Sequence, residues 1–146
     1  MSGSTVNLLT GLAQDLATAG IGTWKTSGVY TITQTGIILG NIPQGPDRII
    51  TLTAYSVSDS PSLSDSTIGV QVRCRWGGQD PRPVNDLSDL IYQRWHGMTA
   101  VTLTGGVYVV QSLLNSAVGL GQDENARWAN ASNYYMSVHL PSTNRT

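Results

Sequence analysis

The chain has 146 residues, 40% of them hydrophobic and only 12% charged, with a formal net charge of −1. That length suits one domain, able to bury roughly 70% of the surface its unfolded chain exposes, and the charged share is about half the usual ~25%, so Ser, Thr, Asn, Gln and Gly must supply much of the surface. Lys25 is the only lysine and the seven arginines are scattered, which excludes nucleic-acid binding as a primary role, because phosphate backbones call for a concentrated basic footprint.

Met1 to Thr5 lacks a positive n-region, and the apolar stretch that follows is interrupted by Asn7, Gln14 and Asp15. Neither a signal peptide nor a membrane span is therefore expected, and the chain reads as made and used in a cytoplasm. Leu8, Leu9, Leu12, Ala13, Leu16 and Ala17 recur at helical spacing and predict an amphipathic helix over Val6–Ala19, capped by Ser4 or Thr5 and ended by Gly20. The run from Gly28 to Leu39 is rich in β-branched and aromatic residues and predicts a strand. Pro43–Asp47 supplies a turn, and Arg48–Val57 a second strand.

Ser56–Ser66 carries serine at alternate positions with Asp59, Pro61 and Asp65. Its composition cannot bury enough apolar area to order itself, so a mobile loop is expected. Ile68, Val70, Val72, Cys74 and Trp76 then alternate strictly with Gly69, Gln71, Arg73 and Arg75. A half-buried strand follows, with Cys74 toward the core and both arginines toward solvent or a neighbouring subunit. Cys74 is the single cysteine, so no intramolecular disulfide can form, and Asn130-Ala131-Ser132 carries no glycosylation meaning without secretion.

Beyond the breaker Gly77–Pro83, the residues Val84, Leu87, Leu90, Ile91, Trp95 and Met98 predict a second amphipathic helix that stops near Gly97, with Asp80 as its N-cap. Val101–Leu103 and Val107–Leu114 flank Gly105-Gly106 as strands, and Tyr134, Met136, Val138 and Leu140 alternate as a last one. Asn115–Asn133, with Gly119, Gly121, Asp123, Glu124 and Arg127-Trp128, reads as a long functional or flexible loop. The order predicts a single α+β domain over 1–146: a mostly antiparallel sheet with both helices packed on one face.

No chemistry stands out. His96 and His139 have no Cys or carboxylate at ligand spacing, and no nucleophile and base can be paired, so no catalytic residue, metal site or cofactor is assigned. Asp86 with Asp89 suits a helix N-terminal dipole, and Asp123-Glu124 a solvated turn. Gly77-Gly78 lacks the Gly-Lys-Ser/Thr ending of a phosphate loop, Gly105-Gly106 lies between strands, and both read as turns. Of 4 Trp and 6 Tyr, with no Phe, Trp76 and Trp128 stand beside arginines, a pairing suited to protein contacts. Arg73, Arg75, Asp123, Arg127 and Trp128 are thus the candidate subunit-interface residues.

The helix ending in Ala-Gly, the strand Val70–Arg75 followed by Asp80-Pro81, the helix Leu87–Trp95 closing in Gly97, and Gly121–Trp128 leading to Asn133-Tyr134 together resemble the tail-terminator or minor capsid proteins of long-tailed bacteriophages. The resemblance runs through nearly the whole chain in order. It implies a virion structural protein, not an enzyme, that is assembled in the host bacterial cytoplasm. Such a subunit forms a ring, a hexamer, at the head-proximal end of the tail tube, stops tube growth and joins tail to head at the neck. The implied partners are other copies of the chain, the tail tube protein and the head–tail connector, with DNA only as passing cargo and no membrane. A head-completion or neck-connector subunit is the alternative of the same class, and a small ligand-binding or enzyme domain the alternative of another.

Overall fold

The computed structural model describes residues 3–145; Met1 and Ser2, part of the stretch read for a signal peptide, and Thr146 lie outside the described residues. In chain order the elements are α1 (Ser4–Thr18), β1 (Thr23–Trp24), β2 (Gly36–Leu39), β3 (Ile49–Ser58), β4 (Asp65–Gly77), α2 (Arg82–Trp95), β5 (Thr99–Thr102), β6 (Tyr108–Gln122) and β7 (Arg127–His139). The strands form one seven-stranded sheet in the order β1-β2-β3-β4-β7-β6-β5. The sheet is mixed where an antiparallel one was expected: β1 to β2 and β2 to β3 run parallel, and every later pairing is antiparallel. The departure follows from segment 40–48, which carries the chain back to the start of the sheet so that Gly36 pairs with Ile49 in the same direction.

Both helices cover one face, as expected. Leu8, Leu12 and Leu16 of α1 and Val84, Leu87, Ile91 and Trp95 of α2 join Leu52, Val72, Cys74 and Met136 in one cluster. Burying each such leucine or isoleucine contributes about 1.5–3 kcal/mol relative to leaving it exposed. Trp95 meets Tyr134 edge to face, with ring centroids 5.6 Å apart, and both are fully enclosed. The Gly3 position precedes α1 without a side-chain cap, so neither Ser4 nor Thr5 serves as one. At the other end Gly20 takes φ +77° and donates its N–H to Ala17, the left-handed stop that glycine supplies without a Cβ clash. Pro81 occupies the N-cap position of α2, while Asp80 just before it accepts the backbone N–H of Arg82 at 3.0 Å.

Two sequence expectations are corrected. Asn115–Asn133 is not a long loop: β6 runs to Gln122, β7 starts at Arg127, and only 123–126 turns between them. Three register shifts, between Val109 and Gln111, Leu114 and Ser116, and Gly119 and Gly121, break the two-residue period along β6. Within Gly28–Leu39 only Gly36–Leu39 is strand. The earlier part is irregular and leaves Val29 and Ile32 each 85% exposed. Ser56–Ser66 lends its ends to β3 and β4, and Asp59 within it accepts hydrogen bonds from Ser56, Ser66 and Arg145.

Candidate functional site

The candidate residues divide between a structural cluster and an uncommitted surface. At one end of the sheet, β4 and β7 pair through Trp76 with Trp128 and Gly77 with Arg127. Arg75 points away from the helices as the alternation demands, but it is not in solvent. Only 3% exposed, it donates Nε–H to Asp47 O at 3.1 Å and Nη2–H to Pro46 O at 2.7 Å and Gln44 O at 3.3 Å. The loop that folds over it was not legible as a lid, because Pro43–Asp47 reads only as a turn. Arg75 therefore holds its own chain's loop.

Arg127 does similar work. It is buried, donates Nε–H to Asp123 Oδ2 at 2.9 Å, and donates Nη1–H to Gln44 O. Asp123 also accepts the backbone N–H groups of Asn125 at 2.9 Å and Arg127 at 3.0 Å, tying the 123–126 turn into a closed unit. Partial burial alone would raise its pKa; those backbone N–H groups and the Arg127 guanidinium outweigh it, holding the carboxyl below its ordinary value. Ala126 completes the turn in a left-handed conformation, φ +58°. Trp128 is half-buried against the core rather than carried on a loop. Across the sheet from it, Trp76 receives the guanidinium of Arg48 at 4.3 Å from the ring centroid.

Arg73 is different. It lies on the same outer face as Arg75, half-buried, with Thr51 and Ala131 beside it in register. Its Nε is buried and has no hydrogen-bond partner among the described residues. Of the five sequence candidates, Arg73 and Trp128, whose indole Nε1 is likewise buried without a partner among the described residues, keep an unused hydrogen-bond donor.

A second surface was missed by sequence reasoning. β5 covers β6 only from Tyr108 to Gln111. Beyond it, Gly97 and Met98 exchange backbone hydrogen bonds with Ser112, and His96 Nδ1 accepts the N–H of Leu114 at 3.0 Å. From Asn115 to Gln122 no described strand pairs with the outer side of β6, and Val118 and Leu120 are 55% and 46% exposed. A groove of about 250 Å³ runs between this edge and α2, lined by Asp89, Ser88, Gly119 and Asn130. Asn130 is buried there, and its Oδ1 accepts no hydrogen bond among the described residues.

At the opposite end of the sheet the segment 25–35 folds back over β2. Tyr30 anchors it, accepting the N–H of Lys25 at 3.1 Å and donating to Ile37 O at 2.8 Å, with its ring packed so close to Gly36 that a Cβ there would lie 2.9 Å away. Val29 and Ile32 stay outside.

Among the described residues no three His, Cys, Asp or Glu side chains gather as a metal site, and no helix is long and apolar enough to cross a membrane. Residues 16–140 match the model of a family described as bacteriophage tail terminator protein. Among solved structures, the chain is similar to a chain in the virion of the native gene transfer agent (GTA) particle, with a TM-score of 0.64 at 12% identity. That alignment covers 94% of this chain and 98% of the other, and the likeness is one of fold. No curated protein matches.

Proposed function

The chain belongs to the bacteriophage tail terminator family and is a structural protein of a virion tail, and from that premise we propose that it forms the ring that ends growth of the tail tube at its head-proximal end. The match over residues 16–140 carries this reading. A tube lengthens by repeating one contact. It stops when a subunit fits the tube rim on one side and offers no such rim on the other. The partners are then further copies of this chain in a hexameric ring, the tail tube protein below and the head connector above.

The sheet supports a ring because its two ends are unlike: a short β1 beside the 25–35 segment at one, the uncovered half of β6 at the other. A contact between unlike patches propagates head to tail and closes when its rotation divides a full circle. Deletion of the gene in the parent phage tests the role. Overlong or ragged tails detached from filled heads are expected. Tails of normal length beside heads that leak DNA would assign the chain to head completion, and normal attached tails would overturn both.

A further inference from the structure

Val29-Tyr30-Thr31-Ile32-Thr33 has the composition of a strand but pairs with no described strand, and it exposes Val29 and Ile32 by 85% each. β6 from Asn115 to Gln122 is a strand whose outer side pairs with no described strand, and it exposes Val118 and Leu120. The first sits at the β1–β2 end of the sheet and the second at the β6–β5 end. One chain therefore carries a strand-prone arm without an edge and, at the other extremity, an edge without a strand.

We propose that the arm around Val29–Thr33 of one copy adds to the free edge of β6 in the next, and that this β-addition is the head-to-tail contact of the ring. The inference rests on the ring reading above and specifies its interface. Charge agrees with it. Segment 25–35 contains Lys25 and no acid. Beside the β6 edge stand Asp89 and, just past the strand end, Glu124, neither in a hydrogen bond or ion pair among the described residues. Main-chain pairing would supply the affinity, and the exposed apolar side chains the fit. The pairing also explains how a long uncovered edge escapes indiscriminate aggregation: its partner is built into every copy.

The test is a cysteine pair, Ile32→Cys with Val118→Cys, in the full chain at high concentration and with tail tubes. Cys74 is buried, and burial pushes its thiol up to about 12, so it contributes no background. Oxidation should give a ladder of covalent species beyond dimer, since a head-to-tail contact joins each copy to two others. Val29→Asp with Ile32→Asp, at exposed positions, should leave the melting temperature of the monomer unchanged and weaken assembly roughly tenfold or more. Rings that form without the cross-link and tolerate both aspartates would overturn the arm-to-edge contact while leaving the ring reading standing. Absence of any ring, alone or on tail tubes, would overturn both.

Discussion

Asp15 on α1 receives the indole N–H of Trp95 on α2, with 3.0 Å between Oδ2 and Nε1. It is a direct polar link between the two helices, placed beside a tryptophan that is otherwise enclosed by apolar side chains. The same carboxylate takes Arg94 at 2.7 Å, but the Arg94 side chain is 45% exposed.

The two bonds should therefore differ in worth. Asp15→Ala strands a buried indole N–H and should lower stability by about 1–3 kcal/mol, whereas Arg94→Ala loses a partly solvated ion pair worth less than ~1 kcal/mol. Urea unfolding of both variants measures the difference. Equal losses would show that the ion pair, not the indole bond, carries the link.

Arg75 and Arg73 make a second contrast. Removing Arg75 leaves the carbonyls of Gln44, Pro46 and Asp47 without their donor, so Arg75→Ala should cost about 3 kcal/mol or more. Arg75→Lys should recover little, because one ammonium cannot span donors arranged for a planar guanidinium. Arg73→Ala should stay within about 0.5 kcal/mol of the parent in the monomer. Thermal unfolding of the three variants checks the order, and a costly Arg73→Ala would place that side chain in the fold rather than at a surface.

Gly69 lies under the ring of Tyr55: a Cβ added there would stand 2.2 Å from Tyr55 Cζ. Tyr55 in turn donates its hydroxyl to Asn133 at 3.0 Å, so the ring bridges β3, β4 and β7. Gly69→Ala should displace the ring and cost about 1–3 kcal/mol. Adding Tyr55→Ala should make the glycine change nearly neutral, a coupling that a double-mutant cycle reads directly. Strict additivity of the two losses would disprove the contact.

Acid should weaken the fold through Asp59 and Asp123. Hydrogen bonds from Ser66 and then Ser56 hold Asp59 below the ordinary 3.8, and Asp123 is also lowered. A carboxyl whose folded pKa is depressed contributes stability above its unfolded pKa and loses it as pH falls through the folded value. Stability should decline as pH falls below about 4, and Asp59→Asn with Asp123→Asn should flatten that decline. Chemical unfolding across this range is the measurement; an unchanged slope in the double variant would assign the acid response to other groups.

Much of the fold was legible because its elements keep one period. The leucines of α1, the apolar positions of α2 and the alternation from Val70 to Trp76 each continue uninterrupted and give the two helices and the central strand. β6 was legible only to Leu114. A shift between Leu114 and Ser116 moves the inward set from even to odd positions, so Ser112 and Leu114 are followed on that face by Ala117 and Gly119. Read in one phase, such a strand looks like a polar loop. β1, two residues long, has no pattern to read. The candidate site suffered from a different limit: alternation correctly turned Arg75 away from the helices, but only the folded path of 44–47 brings three carbonyls over it. Arg73 and Arg75 are indistinguishable in sequence and unlike in place.

The three shifts also set how β6 tolerates changes in length. Along the paired region, β6 spends one more residue than β7 at each of Val110, Asn115 and Leu120. Deleting any one of these extra residues would remove a bulge and leave every flanking side chain on its present face. A one-residue deletion midway between two bulges would instead turn the intervening side chains over, exchanging positions such as Ala117, beside Ser132, for those such as Val118, beside Ala131. Gaps among relatives of this chain should accordingly gather at those three positions, even where the surrounding residues differ.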